Sequence, residues 1–286
     1  MDRDSIMTEA ISRSKYLIKR LIFVFDPLYV SFYRIFNNYY APIPPMENRV
    51  RVGAHYKIGG FLKSGRNCYE PIKKSIVTYQ SNQINHLKIL DFGAGCGRTL
   101  QFFYPDIPKI FATDVDSSAI NYLSKAFPEA NASCNQYDPP LKYDDNFFDT
   151  VYSVSIWTHL PVSKQKPWLN EISRILKPNG LALITVLGDF SLTIKKTKNM
   201  NLDVTPEKLE KEGILYLEYP GVNLSSEMRN KLFPGIDQSY GTTYHSEKYI
   251  REEWSDNFEV LDIQKGVIDN LQDLVILRKN GSSNLA

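Results

Sequence analysis

Along the front of the chain, apolar residues recur at alternating spacings of three and four: Ile18, Leu21, Phe25, Leu28, Phe32 and Ile35. This is the stripe of an amphipathic helix. Pro27 interrupts it. Asp26 suits an N-cap and proline suits a first helical position, so the pattern predicts two consecutive helices with a bend between them. The run from Tyr39 to Pro45, Tyr-Tyr-Ala-Pro-Ile-Pro-Pro, then reads as an extended linker.

From Leu87 onward, short apolar runs alternate with helical periodicity. Strands are predicted at 87–92, 109–115 and 147–153, and helices at 97–104, 117–126 and 163–176. This is βαβ punctuation, and it builds an open, doubly wound parallel sheet that takes ligands at the carboxyl ends of its strands. Leu181-Ala-Leu-Ile-Thr-Val-Leu187 adds a buried strand after the turn Lys177-Pro-Asn-Gly180. Two further runs, 258–263 and 274–277, suit a terminal hairpin. The polar stretch between, with its Lys195-Lys-Thr-Lys198 cluster, is long enough to act as a lid or substrate cap. The expected organisation is a helical extension and linker at 1–80, a core at 81–188, a cap insertion at 189–257 and a terminal hairpin at 258–286 that completes the core sheet.

Composition narrows the class. A chain of 286 residues with 43% apolar content can bury a real core. The three cysteines, Cys68, Cys96 and Cys134, are too widely spaced for a ribbon or finger-type zinc site, and their odd number argues against a disulfide framework. No metal site is expected, and a reducing cytoplasm fits best. No run approaches the roughly 20 apolar residues that cross a bilayer; the most apolar, Leu21-Ile-Phe-Val-Phe25, stops at Asp26-Pro27 without a small-residue cleavage site.

Charge is uneven, +7 over residues 1–85 and −5 over the rest. A basic front with an apolar stripe is what peripheral binding to an anionic membrane needs, and a solvated helix face is the plainer explanation. Basic residues beside aromatics, as at Lys15-Tyr16, Lys19-Arg20 and Tyr33-Arg34, lie on that same helical stretch. No nucleic-acid recognition module is visible, so RNA or DNA is not the expected substrate.

The chemistry centres on Asp91-Phe-Gly-Ala-Gly-Cys-Gly97, which follows a strand and opens a helix, where backbone approaches a bound molecule closely. Asp114 ends the next strand, 19 residues after Gly95, near the offset at which an acid meets a ribose hydroxyl. Arg98 stands where a dinucleotide fold wants Gly or Ala, and this counts against NAD.

These residues resemble the class I S-adenosylmethionine-dependent methyltransferases through four motifs in order: Lys88-Ile-Leu-Asp-Phe-Gly-Ala-Gly-Cys-Gly97, Ala112-Thr-Asp-Val-Asp116, Phe148-Asp-Thr-Val-Tyr-Ser153 and Leu176-Lys-Pro-Asn-Gly180. The resemblance covers roughly 86–188 and the terminal hairpin. It implies an α/β fold, a doubly wound, mostly parallel seven-stranded sheet of the Rossmann-like methyltransferase type, with S-adenosyl-L-methionine as cofactor. By the same resemblance, Asp91 organises the methionine amino group, Gly93, Ala94 and Gly95 line the backbone contact, and Asp114 holds both ribose hydroxyls, with Val115 and Ser153 completing the set. Asn135 or Gln136 supplies the adenine contact, with Asp138 as the other option. Asp149 falls where the family has a structural acid.

The segment Ser153-Val-Ser-Ile-Trp-Thr-His-Leu160 leaves the fourth strand toward the methyl donor. His159 there is a candidate base or an orienting residue, and Trp157 reads as packing. Tyr240-Gly-Thr-Thr-Tyr-His-Ser246 leads into a helix with Ser246 as its N-cap, and Tyr244, His245 and Arg251 are candidates to line an acceptor pocket. The expected reaction is in-line methyl transfer to a hydroxyl of a carbohydrate or other small polar metabolite, with His159 or His245 removing the proton and Asp or Tyr as alternatives. An NAD-dependent oxidoreductase and a non-catalytic methyltransferase-fold binding protein are the other readings.

Overall fold

The computed structural model describes residues 24–53, 55–80, 83–107, 109–194, 204–218 and 241–281. Ile18, Leu21, the 195–198 lysine cluster and Tyr240 lie outside them. The chain divides into two compact units, Met1–Leu62 and Lys63–Ala286. The units part inside the helix Ile58–Tyr79, ahead of the division expected at residue 80.

In the first unit, helix α1 (24–37) runs through Asp26-Pro27 without the expected junction. Asp26 does not cap it. Its carboxylate instead accepts the Met46 amide at 2.7 Å and pairs with Arg49 at 2.6 Å, holding the first turn of α2 (Met46–Arg51). The Arg49 side chain is fully buried. Removing either charge would strand the other, at a cost of about 3–5 kcal/mol. Phe25, Leu28, Phe32 and Ile35, on the predicted stripe, are exposed.

In the second unit, the last part of α3 (Ile58–Tyr79) precedes a seven-stranded sheet: β1 (Ile89–Phe92), β2 (Phe111–Asp114), β3 (Asn131–Cys134), β4 (Phe148–Ser153), β5 (Leu176–Val186), β8 (Phe258–Ile268) and β9 (Gln272–Lys279). The order is β3-β2-β1-β4-β5-β9-β8. The first five strands are parallel, and β9 enters antiparallel between β5 and β8. The chain leaves β1 toward β2 on one side and returns through β4 on the other, so a switch point opens between β1 and β4.

Both faces of the sheet are covered, which is why its central strands are apolar without alternation. Ile89, Ala112, Tyr152, Leu183 and Ile276 pack with Cys68, Ile72 and Ile76 of α3 and with Leu123 of α5 (Ser117–Ala126). Leu90, Val151, Ile184 and Val275 pack on the other face with Trp168 and Ile172 of α6 (Val162–Ile175) and with Trp254.

Local differences from the sequence pattern have local causes. The helix expected at 97–104 shrinks to α4 (Leu100–Phe103), because the glycine turn ahead of it carries positive φ at Gly95 and Gly97. Lys177-Pro-Asn-Gly180 is a bulge inside β5: pairing jumps from Phe148↔Leu176 to Thr150↔Leu181, with Asn179 at φ 62. The hairpin strands are longer than predicted. They meet at Asp269-Asn270, both at positive φ, the conformation of a type I′ turn.

Between β5 and β8, the described residues form α7 (Asp189–Thr193), α8 (Pro206–Glu212), β6 (Ile214–Glu218), β7 (Gly241–His245) and α9 (Glu247–Glu253). The stretch leading into α9 is a strand, paired antiparallel to β6 over Leu215↔Tyr244 and Leu217↔Thr242. Ser246 caps α9 as expected, accepting the Tyr249 amide at 3.1 Å.

Candidate active site at the carboxyl edge of the sheet

The glycine turn closes over the carboxyl end of β1. The Gly93 and Ala94 amides donate to Thr113 O at 2.8 and 3.1 Å, which binds the turn to β2. Gly93 has φ 80, and a Cβ there would lie 2.2 Å from the Ile156 side chain. Both constraints exclude a side chain.

Asp114 sits at the end of β2. Its Oδ2 accepts the Gly95 amide at 2.7 Å and its Oδ1 accepts the Asp116 amide at 2.8 Å. The Val115 backbone also donates to this carboxylate, which, with about four acceptor sites in all, keeps capacity for a ribose hydroxyl. Burial raises the Asp114 pKa, and these backbone donors work against that rise. Val115 follows Asp114 in the bend before α5.

Asp91 is 2% exposed and accepts the Tyr152 hydroxyl at 2.8 Å. Burial pushes its pKa up to about 7; the Tyr152 bond opposes the rise and the neighbouring Asp114 charge adds to it. A buried and a partly buried carboxylate thus stand near the same turn, an arrangement that favours a cationic ligand.

After β3, Asn135 Oδ1 accepts the Thr113 hydroxyl at 2.8 Å and its Nδ2 donates to Gln136 O at 2.6 Å, so this side chain braces the loop beside Asp114. Gln136 is exposed, and Asp138 pairs with Lys164 at 2.5 Å. Asp149 accepts the Lys88 amide at 2.8 Å and pairs with Lys177 at 2.6 Å, tying the starts of β1 and β5 together far from the carboxyl edge.

At the exit of β4, the Ser153 and Thr158 hydroxyls are buried without a hydrogen-bond partner among the described residues. A polar ligand that satisfied them would remove a real cost, so these orphans, the glycine turn and the two carboxylates fit a cofactor with polar and cationic groups. His159 donates from Nδ1 to Gly241 O at 2.8 Å, which puts the lone pair on Nε2. Burial lowers its pKa, partly offset by the Gly241 bond.

His245 is placed differently. It is 1% exposed, its Nε2 lies 2.7 Å from Gln165 Oε1, and burial drives its pKa down to about 3. Its ring packs on Trp254 at 5.8 Å between centroids. Tyr244 is buried, and Arg251 turns back along α9 to Glu247 at 2.8 Å. Trp157 packs on Phe92. The two histidines named as candidate bases thus separate into one at the β4 exit and one sealed in the core.

The strand β7 reaches the sheet through its backbone. Thr243 N donates to Thr158 O at 2.9 Å, and His245 N donates to Leu187 O at 2.8 Å. Sequence reasoning missed these ties, as it missed Asp273, which stands opposite Val186 at the end of β5. Burial raises Asp273 to about 6. Its signal was an acid opening the buried run Gln272-Asp-Leu-Val-Ile-Leu277.

Residues 89–180 match a family described as a methyltransferase domain. An uncharacterized protein of Haemophilus influenzae is 33% identical over 32% of this chain and 35% of its own length. A tRNA N(3)-cytidine methyltransferase of Gallus gallus, METTL2, is 26% identical over 51% of this chain and 43% of its own length. The chain thus spans well under half the length of these curated relatives. An S-adenosylmethionine-dependent methyltransferase from Methanosarcina mazei superposes with TM-score 0.52 at 19% identity, covering 72% of this chain and 97% of that one. A Pyrococcus horikoshii protein superposes with TM-score 0.53 at 16% identity, covering 87% and 99%. Both share the fold. Residues 89–180 are thus similar to a methyltransferase domain, in a fold shared with an S-adenosylmethionine-dependent methyltransferase. S-adenosylmethionine is the cofactor of that class.

Proposed function

We propose that this chain transfers a methyl group from S-adenosylmethionine to a hydroxyl of a carbohydrate or other small polar metabolite, with His159 as the base. When bound, the cofactor supplies a sulfonium methyl that is already activated. Gly93, Ala94 and Gly95 leave room for close backbone approach, Asp114 accepts the ribose hydroxyls, and Asp91 faces the cationic end. Val115, Ser153 and one of Asn135 and Gln136 complete the pocket.

The single observation that carries the acceptor chemistry is the His159 Nδ1 bond to Gly241 O. It fixes the tautomer whose Nε2 takes up the hydroxyl proton as the new C–O bond forms, while S-adenosylhomocysteine leaves. A lowered pKa keeps that nitrogen unprotonated at neutral pH. Positioning supplies most of the remaining rate. His245 is the weaker base candidate because it is sealed against Gln165 and Trp254.

The likeness to a tRNA methyltransferase favours a second reading, transfer to a ring nitrogen of RNA, against the expectation from the sequence. Such a nitrogen carries its own lone pair and needs no base. A screen of hydroxyl acceptors and RNA with isotope-labelled methyl donor separates the two, and label in RNA alone would overturn the hydroxyl reading.

The exposed Phe25, Leu28, Phe32 and Ile35, together with the positive front, support peripheral contact of α1 with an anionic bilayer. No helix among the described residues is long and apolar enough to cross one. Flotation with anionic vesicles at low salt checks this, and a chain that stays behind in solution contradicts it.

A further inference from the structure

The glycine turn has few side chains with which to hold itself. Its β2 side is fixed by Thr113 and Asp114. Its other side ends at Arg98, and there the helix α3 comes so close that a Cβ on Gly65 would lie 2.1 Å from Arg98 O. Gly65 is therefore a contact residue inside a helix.

The Arg98 guanidinium is held by two partners. Its Nη1 donates to Ser64 Oγ at 2.7 Å and stands 3.8 Å from Asp269 Oδ2. Ser64 in turn donates to Asp269 Oδ2, and Asn67 Nδ2 donates to Asp269 Oδ1 at 2.9 Å. Asp269 lies in the β8–β9 turn, more than 200 residues from Ser64 and Asn67 in sequence.

Three residues further on, the same turn region grips the other wall of the site. Gln272 Nε2 donates to Ser155 Oγ at 2.8 Å. Ser155 sits at φ 63 just after β4, and its amide donates to Thr185 Oγ1 at 2.7 Å. The next residue, Ile156, is the one that Gly93 makes room for. The two loops that flank the methyl donor thus touch each other and are both anchored on the terminal hairpin.

We propose that the β8–β9 turn is a positioning clamp for the cofactor site: Asp269, through Ser64, Asn67 and Arg98, sets the glycine turn, and Gln272, through Ser155, sets the loop that leads to His159. None of these residues needs to touch substrate; they are positioning residues, and their role in catalysis rests on the cofactor reading above. An ordinary hairpin turn would need only residues that tolerate positive φ, a role Asn fills as well as Asp. The clamp needs the carboxylate.

That difference supplies the test. Asp269→Asn keeps the turn chemistry and removes the charge, so the melting temperature should stay within a few degrees. Binding of S-adenosylhomocysteine, read by calorimetry, should weaken on the order of 10-fold, the scale of a hydrogen bond to a charged group. Arg98→Gln should do the same, and the double variant should be no worse than either single one. Gln272→Ala should leave that affinity unchanged and lower kcat. Amide exchange at residues 94–98 of the unliganded protein should quicken in Asp269→Asn, a readout that involves no cofactor. Unchanged exchange at those amides, or single-variant effects that simply add, would overturn the clamp. Quickened exchange in a protein that binds no S-adenosylhomocysteine would support the clamp and overturn the cofactor reading instead.

Discussion

The two halves of the carboxyl edge are built by different means. On the side of β1, β2 and β3, the pocket is made of backbone: a turn at positive φ, amides that donate to Thr113 O and Asp114, and two carboxylates at strand ends. On the side of β4 and β5, it is made of contacts between segments some 80 residues apart, His159 with Gly241, Thr243 with Leu160 and His245 with Gln165. On the proposed reading, the first half meets what does not vary, a nucleotide with a charged tail, and the second half, whose strands come from an insertion, is where an acceptor would be chosen.

If the halves divide the labour this way, variants should divide too. The largest effect is expected at His159. His159→Ala should lower turnover by about 10²–10⁴-fold at saturating cofactor while leaving S-adenosylhomocysteine affinity within a few-fold. The wild-type rate should fall on the acid side, with a midpoint below the ordinary histidine value of 6.5, because burial favours the neutral ring. A loss of only a few-fold would move proton removal elsewhere or point to a nitrogen acceptor.

A smaller effect concerns pH and the cofactor half. Asp91 is raised to about 7 by burial, so a good part of it is protonated at pH 6. A cationic ligand binds the ionised form better and pulls that pKa down. Affinity for S-adenosylmethionine should therefore rise between pH 6 and pH 8, with proton release measurable by calorimetry in buffers of different ionisation enthalpy. S-adenosylhomocysteine keeps the amino group assigned to Asp91 and should show most of the same rise.

The smallest expected effect is on stability, from His245. Its folded pKa is depressed to about 3 against 6.5 unfolded, so below pH 6.5 the unfolded chain takes up a proton that the folded chain refuses. The stability that this histidine contributes is present above 6.5 and falls as pH drops toward 3, by up to about 1.4 kcal/mol per pH unit. Urea denaturation at pH 7 and pH 5.5 should show a shallower loss in His245→Gln than in the wild type. Equal slopes would mean that His245 is not sealed.

The same contrast governs what could be read from the sequence. The glycine turn, Asp114 and the order of the core strands were legible because each is a local requirement: φ, burial or strand-end position dictates the residue type where it stands. The seven-stranded sheet was implied by the family resemblance; the apolar runs themselves marked six strands and not β3 (Asn131–Cys134), whose residues are partly exposed. The cap was legible only as an excursion. Gly241-Thr-Thr-Tyr-His245 has the period of a strand but mixed polarity, and its partner β6 and its ties to Thr158 and Leu187 are fixed by tertiary packing. Asp26 looked like an N-cap because its identity and its neighbour Pro27 agree with one, and the pairing with Arg49, 23 residues on, overrode both. Asp269 and Gln272 carry no local mark beyond turn preference, so their reach to Ser64 and Ser155 appears only once the sheet is assembled.

The central claim is that the cofactor half binds S-adenosylmethionine through its carboxylates and backbone, and Asp114 tests it most directly. Calorimetry of S-adenosylhomocysteine should show one site on the wild-type chain, and Asp114→Ala should weaken it by about 1.5–3 kcal/mol, the range for hydrogen bonds to a charged group. Affinity unchanged in that variant, or no binding by the wild-type chain at all, would contradict the account.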